Sequence, residues 1–179
     1  MSVLKVPATS DDHIRGPNSA PVTLVEYGDY ECPFCGLAYP IVELVRQRFG
    51  PKLRFVFRHF PLKEVHPLAE SAAEVAEFAG AHSLFWEMHD GLYQNQDKLG
   101  LPLYFALAER LELSTQHLSH ALAVGQSALK VQNDFIGGVK SGVNGTPTFF
   151  INGQRHDGTY AFEDFVAAVE RHLFAKATL

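Results

Sequence analysis

The stretch EYGDYECPFCGLAYP, residues 26–40, holds both cysteines of the chain, Cys32 and Cys35, separated by Pro33 and Phe34. What lies on either side of it decides the fold. PVTLVEYG (21–28) is rich in Val, Thr, Leu and Tyr and ends in Gly, the composition of a buried strand. From Cys32 onward Ala38, Ile41, Val42, Val45 and Phe49 recur at three- and four-residue spacing, which predicts an amphipathic helix ended by Gly50 and Pro51. Pro40 lies inside that helix, where it removes one backbone donor and bends the axis. LRFVFRHF (53–60) reads as a second strand closed by Pro61. The cysteine pair therefore sits at the strand-to-helix junction of a βαβ unit.

Helical periodicity dominates the middle. In HPLAESAAEVAEFAGA, Leu68, Ala72, Val75, Ala76 and Ala79 form one face, and Glu70, Glu74 and Glu77 form an acidic stripe expected to be solvated. Ser83 is placed to cap a helix through LFWEMHDGLYQNQ, in which Phe85, Trp86 and His89 are expected to pack in the core. Further helices follow in PLYFALAERL, in TQHLSHALAV behind Ser114, and in QSALKVQNDFIGGVKSG, where Ala128, Val131, Phe135 and Val139 share a face. TPTFFING (146–153) then reads as a strand whose ING turns back into a hairpin, and a helix from about Tyr160 ends the chain. The expected architecture is one α/β domain over residues 1–179: a core at approximately 20–65 and 125–179, with a helical insertion at approximately 66–124.

A thiol is a nucleophile only as thiolate, and the first turn of a helix supplies free N–H donors that stabilise one. Cys32 stands at that position, and Cys35 lies one helical turn behind it. The expected pair is asymmetric: Cys32 exposed and acidic, Cys35 buried as the resolving thiol. Pro33 suits the first helical turn, where its missing N–H is not needed. A zinc clasp lacks ligands, because the chain has no second CxxC, and the HxxH pair His117 and His120 lies in the insertion. A purely structural disulfide would close too short a loop to constrain the unfolded chain. A redox pair fits better than either, although two unremarkable buried cysteines are also compatible with the spacing.

Three motifs in order, EYGDYECPFC, LFWEMHDGLY and GVNGTPTFFING, make the chain resemble the bacterial DsbA-like thiol-disulfide oxidoreductases of the thioredoxin superfamily. The resemblance covers most of the sequence and implies a thioredoxin-like fold with an inserted helical block. It implies Cys32 as nucleophile, Cys35 as resolving thiol, and Thr146–Pro147 as a cis-proline pair that contacts substrate; a trans proline starting a strand is the simpler alternative. Glu26, six residues before Cys32, matches the buried acid of such proteins and would exchange a proton with Cys35. Asp29 and Glu31 are expected to be surface charges. Oxidising DsbA proteins often carry His where this chain has Phe34, so Cys32 is expected to be less acidic, and its disulfide less oxidising, than in those members. Phe34 and Pro33 instead offer apolar surface to a peptide.

The implied function is disulfide exchange with protein or peptide substrates, with a redox-recycling partner and no cofactor beyond the Cys32–Cys35 disulfide. A cytosolic reductase or oxidative-stress protein is one alternative, and a zinc-binding or chaperone-like client-binding protein is another. A net charge of −5 without a basic run gives no footprint for nucleic acid. No apolar run reaches the ~18 residues that would span a bilayer. As written the sequence shows no export signal, which points to the cytoplasm; a removed signal peptide would point to the periplasm. A monomer is expected.

Overall fold

In the computed structural model, which describes residues 2–176, the lead before the first expected strand already contains one, His13–Arg15 (β1). The two expected strands are Val22–Gly28 (β2) and Leu53–His59 (β3), parallel and joined through the helix Pro33–Phe49 (α1). Four helices follow: Ala69–Gly80 (α2), Phe85–Gln94 (α3), Leu101–Arg110 (α4) and Thr115–Ala123 (α5). Ala128–Lys140 (α6) leads into the hairpin of Thr148–Ile151 (β4) and Gln154–Arg155 (β5), and Phe162–Lys176 (α7) completes the chain. The two ends of the residue 1–179 assignment, residue 1 and residues 177–179, lie outside the described residues.

The sheet order is β1-β3-β2-β4-β5, with every neighbouring pair antiparallel except β2 and β3. Strand alternation sorts the core. Leu24, Phe55, Phe57, Phe149 and Ile151 join Cys35, Ala38, Val42 and Val45 of α1 and Phe165 and Val169 of α7. Val25, Tyr27, Val56 and Phe150 form the other cluster with Phe60, against Phe135 of α6. Glu26, two residues from Leu24, thus points toward the α1 side. The β4–β5 turn uses Asn152 (φ 47°) and Gly153 (φ 81°), the left-handed pair that a two-residue hairpin needs.

Two sequence expectations change, those for Ser83 and Val139, and the lead takes a fixed place. The lead is anchored by Arg58, which donates to Asp12 at 2.7 Å, to the carbonyls of Val6 and Pro7, and to the Tyr27 hydroxyl. Ser83 does not cap α3: it turns the chain at φ 63°, and Leu84 occupies the N-cap without a side-chain bond. Ser114 does cap α5, accepting from the His117 N–H. Val139 is exposed, because α6 buries Val131, Asp134, Gly137 and Gly138 instead; a Cβ at Gly138 would lie 2.6 Å from the Phe60 ring.

Candidate functional site

The strand-to-helix junction ends with Cys32 as the N-cap of α1, in extended conformation, and Pro33 as the first helical residue. Both cysteines are free thiols. Cys35 is fully buried, as expected, but Cys32 is only 3% exposed rather than open. The reason is the loop before β4: the Cys32 Sγ lies 3.3 Å from the Thr146 carbonyl oxygen, across 114 residues of sequence. The Thr146–Pro147 bond is cis. The structure therefore brings together Cys32, Cys35, Thr146 and Pro147. Phe34, 57% exposed, and Leu37, 64% exposed, stand on the open side of α1.

Electrostatics separate the two thiols. Cys32 is pulled down to about 5: a hydrogen bond from the Cys35 thiol acts first, partial burial opposes it, and the Thr146 side chain and the N–H groups of Cys35 and Phe34 add to it. The Thr146 hydroxyl is buried and has no partner among the described residues, which leaves it free to donate to a thiolate. Burial pushes Cys35 well above its ordinary value, and its bond to Cys32 and the charges of Glu26 and Cys32 push the same way. Glu26 is buried, and desolvation raises it to about 8, with Cys32 and Glu43 adding. At neutral pH the pair thus holds one ready thiolate, one protonated thiol and a mostly protonated carboxyl below them.

Asp29 and Glu31 are not the surface charges expected. Asp29 is buried, and its Oδ1 accepts from the N–H groups of Glu31 (2.8 Å) and Cys32 (3.2 Å). Its Oδ2 accepts from the Leu62 N–H (2.9 Å) and from His66 Nδ1 (2.8 Å), and its own N–H points at Cys35 Sγ, 3.5 Å away. Glu31 accepts from the Leu68 N–H. Gln96 clamps the same turn from beyond α3, donating to the carbonyls of Tyr30 and Cys32, both at 2.8 Å. A Cβ on Gly36 would meet Gln96 Oε1 at 2.1 Å, so that clamp needs glycine at this position. Sequence reasoning missed His66 and Gln96 altogether. The one available signal was a short acidic residue, Asp29, three before a helix N-cap, in the range of side-chain-to-backbone turns.

A protein-family profile described as Thioredoxin matches residues 8–171. The chain belongs to the thioredoxin family. Among solved structures this family member is similar to oxidised BdbD from Bacillus subtilis, with a TM-score of 0.86 and 23% identity over 96% of this chain and 98% of that one. It is also similar to alpha-DsbA1 of Wolbachia pipientis, with a TM-score of 0.83 and 21% identity over 98% and 96% of the two chains. The fold is therefore thioredoxin-like with the helical insertion of DsbA-like proteins. Among curated proteins it is 48% identical over 167 residues to Na(+)/H(+) antiporter NhaA 1 of Salinispora arenicola, covering 93% of this chain and 26% of the antiporter. NhaA 3 of Salinispora tropica gives 46% over 177 residues, 98% of this chain and 27% of the antiporter. The chain spans about a quarter of the length of these curated relatives.

Elsewhere in this thioredoxin-family chain, the groups that could meet on a metal ion among the described residues are His13, His59 and Glu77. Glu77 was expected on a solvated stripe, yet its Oε1 accepts from both imidazoles, from His13 at 2.7 Å and His59 at 2.8 Å. Burial opposes its charge, but those two bonds hold it well below the ordinary carboxylate range. Lys130 Nζ lies 4.0 Å from the same oxygen and 2.7 Å from Asp134, so an ammonium already supplies positive charge there. As expected, His89 packs in the core: it is buried against Phe57, and burial drives it well below its ordinary value, leaving a neutral imidazole bonded to Tyr30.

Proposed function

We propose that the chain exchanges disulfides with protein or peptide substrates through Cys32 and Cys35. The observation that carries this reading is the split between the two thiols: Cys32 acidified at the helix N-terminus against Thr146, and Cys35 buried and held protonated behind it. In the oxidising direction a substrate thiolate attacks Sγ of Cys32 in the Cys32–Cys35 disulfide. A mixed disulfide forms, and Cys35 leaves as a thiolate that takes up a proton. The second substrate thiolate then attacks its own sulfur in the mixed disulfide, and Cys32 leaves as the stabilised thiolate. Two electrons pass from substrate to enzyme, and the reverse sequence reduces a substrate disulfide. Glu26 lies on the α1 side of β2 and its charge acts on Cys35, which suits it to supply or remove the Cys35 proton.

Catalysis here rests on a low-energy leaving thiolate, since the more stable Cys32 is as a leaving group, the more oxidising the disulfide becomes. The fold shared with BdbD and DsbA1 agrees with this activity. The exposed Phe34 and Leu37 give a peptide side chain an apolar landing next to the nucleophile. The antiport named for the longer curated relatives belongs to those proteins; no helix among the described residues is long and apolar enough to cross a membrane. The domain reading is a single unit with a helical insertion at 66–124, acting as a monomer with a separate recycling partner. An oxidising role suits an oxidising compartment such as the periplasm, and the cytoplasmic reading goes with the reductase alternative.

The test is turnover in both directions: reduction of insulin by dithiothreitol and oxidation of a reduced peptide, each with Cys32→Ser as control. Loss of both activities in the variant supports the proposal. An unchanged rate in the variant, or no turnover in either direction, rejects it; metal analysis and a client-aggregation assay would then examine the zinc-binding and chaperone-like alternatives.

A further inference from the structure

The Asp29 carboxylate is an unusual neighbour for a site that works by forming an anion. It is buried, and its Oδ1 receives the backbone N–H of the nucleophile itself, Cys32. A negative charge there disfavours the thiolate. Its other oxygen is bonded to an imidazole, His66 Nδ1, at 2.8 Å, with the Asp29 side chain fully inaccessible and His66 19% exposed. We propose that His66 is a positioning residue for the Cys32 thiolate: its imidazolium, held through Asp29, offsets the carboxylate charge, so that protonation of His66 and ionisation of Cys32 are coupled. The inference rests on the disulfide-exchange reading above and adds the residue that sets its pH response. In effect an imidazole on the β3–α2 connection acts on the nucleophile through Asp29, whereas the position between the cysteines holds Phe34.

The surroundings agree with this direction. Partial burial lowers the affinity of His66 for its proton, but the bond to Asp29 and its charge, together with the charges of Cys32 and Glu31, raise it above the ordinary value. The charged and titratable groups facing the imidazole are Asp29, Glu31 and Cys32 from the active-site turn; on its own connection the Lys63 ammonium lies 3.6 Å from Glu70. By linkage the coupling is reciprocal: whatever the thiolate does to the His66 midpoint, the imidazolium does to the Cys32 midpoint, equally. Opposite unit charges linked through one buried carboxylate in a partly screened site interact enough to move each midpoint by about half to one pH unit.

The experiment is an NMR titration of the assigned His66 imidazole in the unaltered chain, once with the dithiol and once with the disulfide, which carries no thiolate. The expected result is a midpoint higher by about half to one pH unit in the reduced form. Thiolate absorbance of His66→Asn, which keeps the donor to Asp29 but not the charge, should place Cys32 higher by the same amount. Equal His66 midpoints in the two redox states overturn the inference, whether or not the variant folds. If Cys32 is acidic and the enzyme turns over while His66 ignores the redox state, only the coupling fails. If Cys32 titrates as an ordinary thiol and no turnover is seen, the exchange reading fails with it.

Discussion

Replacing Cys32 by Ser leaves a side chain of nearly the same shape but removes the anion, and the pH at which the loss is felt identifies its cause. Cys32 in the folded chain titrates at about 5 against an ordinary value of 9.0. A depressed value means that the folded state binds the proton less tightly than the unfolded one. The resulting stability is complete above about 9, falls steadily as pH drops, and is gone below about 5. At pH 7 about half of the shift is realised, which amounts to about 3 kcal/mol. At pH 4 both states are protonated and the contribution vanishes. Urea unfolding of both chains under a reductant, at pH 4 and pH 7, should therefore give a variant about 3 kcal/mol weaker at pH 7 than its own offset at pH 4. Glu26 titrates with the opposite sign in both chains, so most of its effect cancels in the difference. An identical loss at the two pH values would refute the reasoning, because it would assign the role of Cys32 to packing rather than charge.

Three further outcomes follow from the same geometry. Glu26→Gln should raise stability by up to about 3 kcal/mol at pH 7 and leave it unchanged at pH 3, because a carboxyl raised to about 8 costs stability once pH exceeds its ordinary 4.5; stopped-flow resolution of a mixed disulfide by Cys35 should slow in the same variant. Gly36→Ala should displace Gln96 from the carbonyls of Tyr30 and Cys32 and cost about 1–2 kcal/mol in urea unfolding. Combined with Gln96→Ala it should add little more, since both changes remove the same two bonds. Phe34→His should lower the Cys32 midpoint by about one pH unit and make the disulfide more oxidising by about 30 mV in a glutathione equilibrium, whereas an unchanged potential would show that the exposed ring position does not reach the thiolate.

What could be read from the sequence was what local spacing encodes. Cys32 and Cys35 fall on one helical turn, Pro33 at its start, and Glu26 two positions from Leu24 on the same strand face, so a short window contains their relation. Pro147 was legible because it opens a strand that is β-rich on composition alone. Asp29 was misjudged for the opposite reason. Its partners Leu62 and His66 arrive from 33 and 37 residues away, and Gln96 reaches Cys32 across 64. Glu77 was assigned to water on helical periodicity, yet His13 comes to it over 64 residues from a strand too short to leave a pattern. Hydrophobic alternation reports which face is buried; it carries no information about which polar partner waits there.

The full burial of Cys35 beside Cys32 also bears on chemical damage. An acidic thiolate is the form that peroxides attack, giving a sulfenic acid that a second oxidation makes irreversible. Here the neighbouring thiol is shut away from solvent oxidants but within reach of the Cys32 sulfur, so the sulfenic acid condenses with it, releasing water and forming the disulfide. The product of the first oxidation is then the same disulfide that the proposed exchange cycle passes through, rather than a dead end.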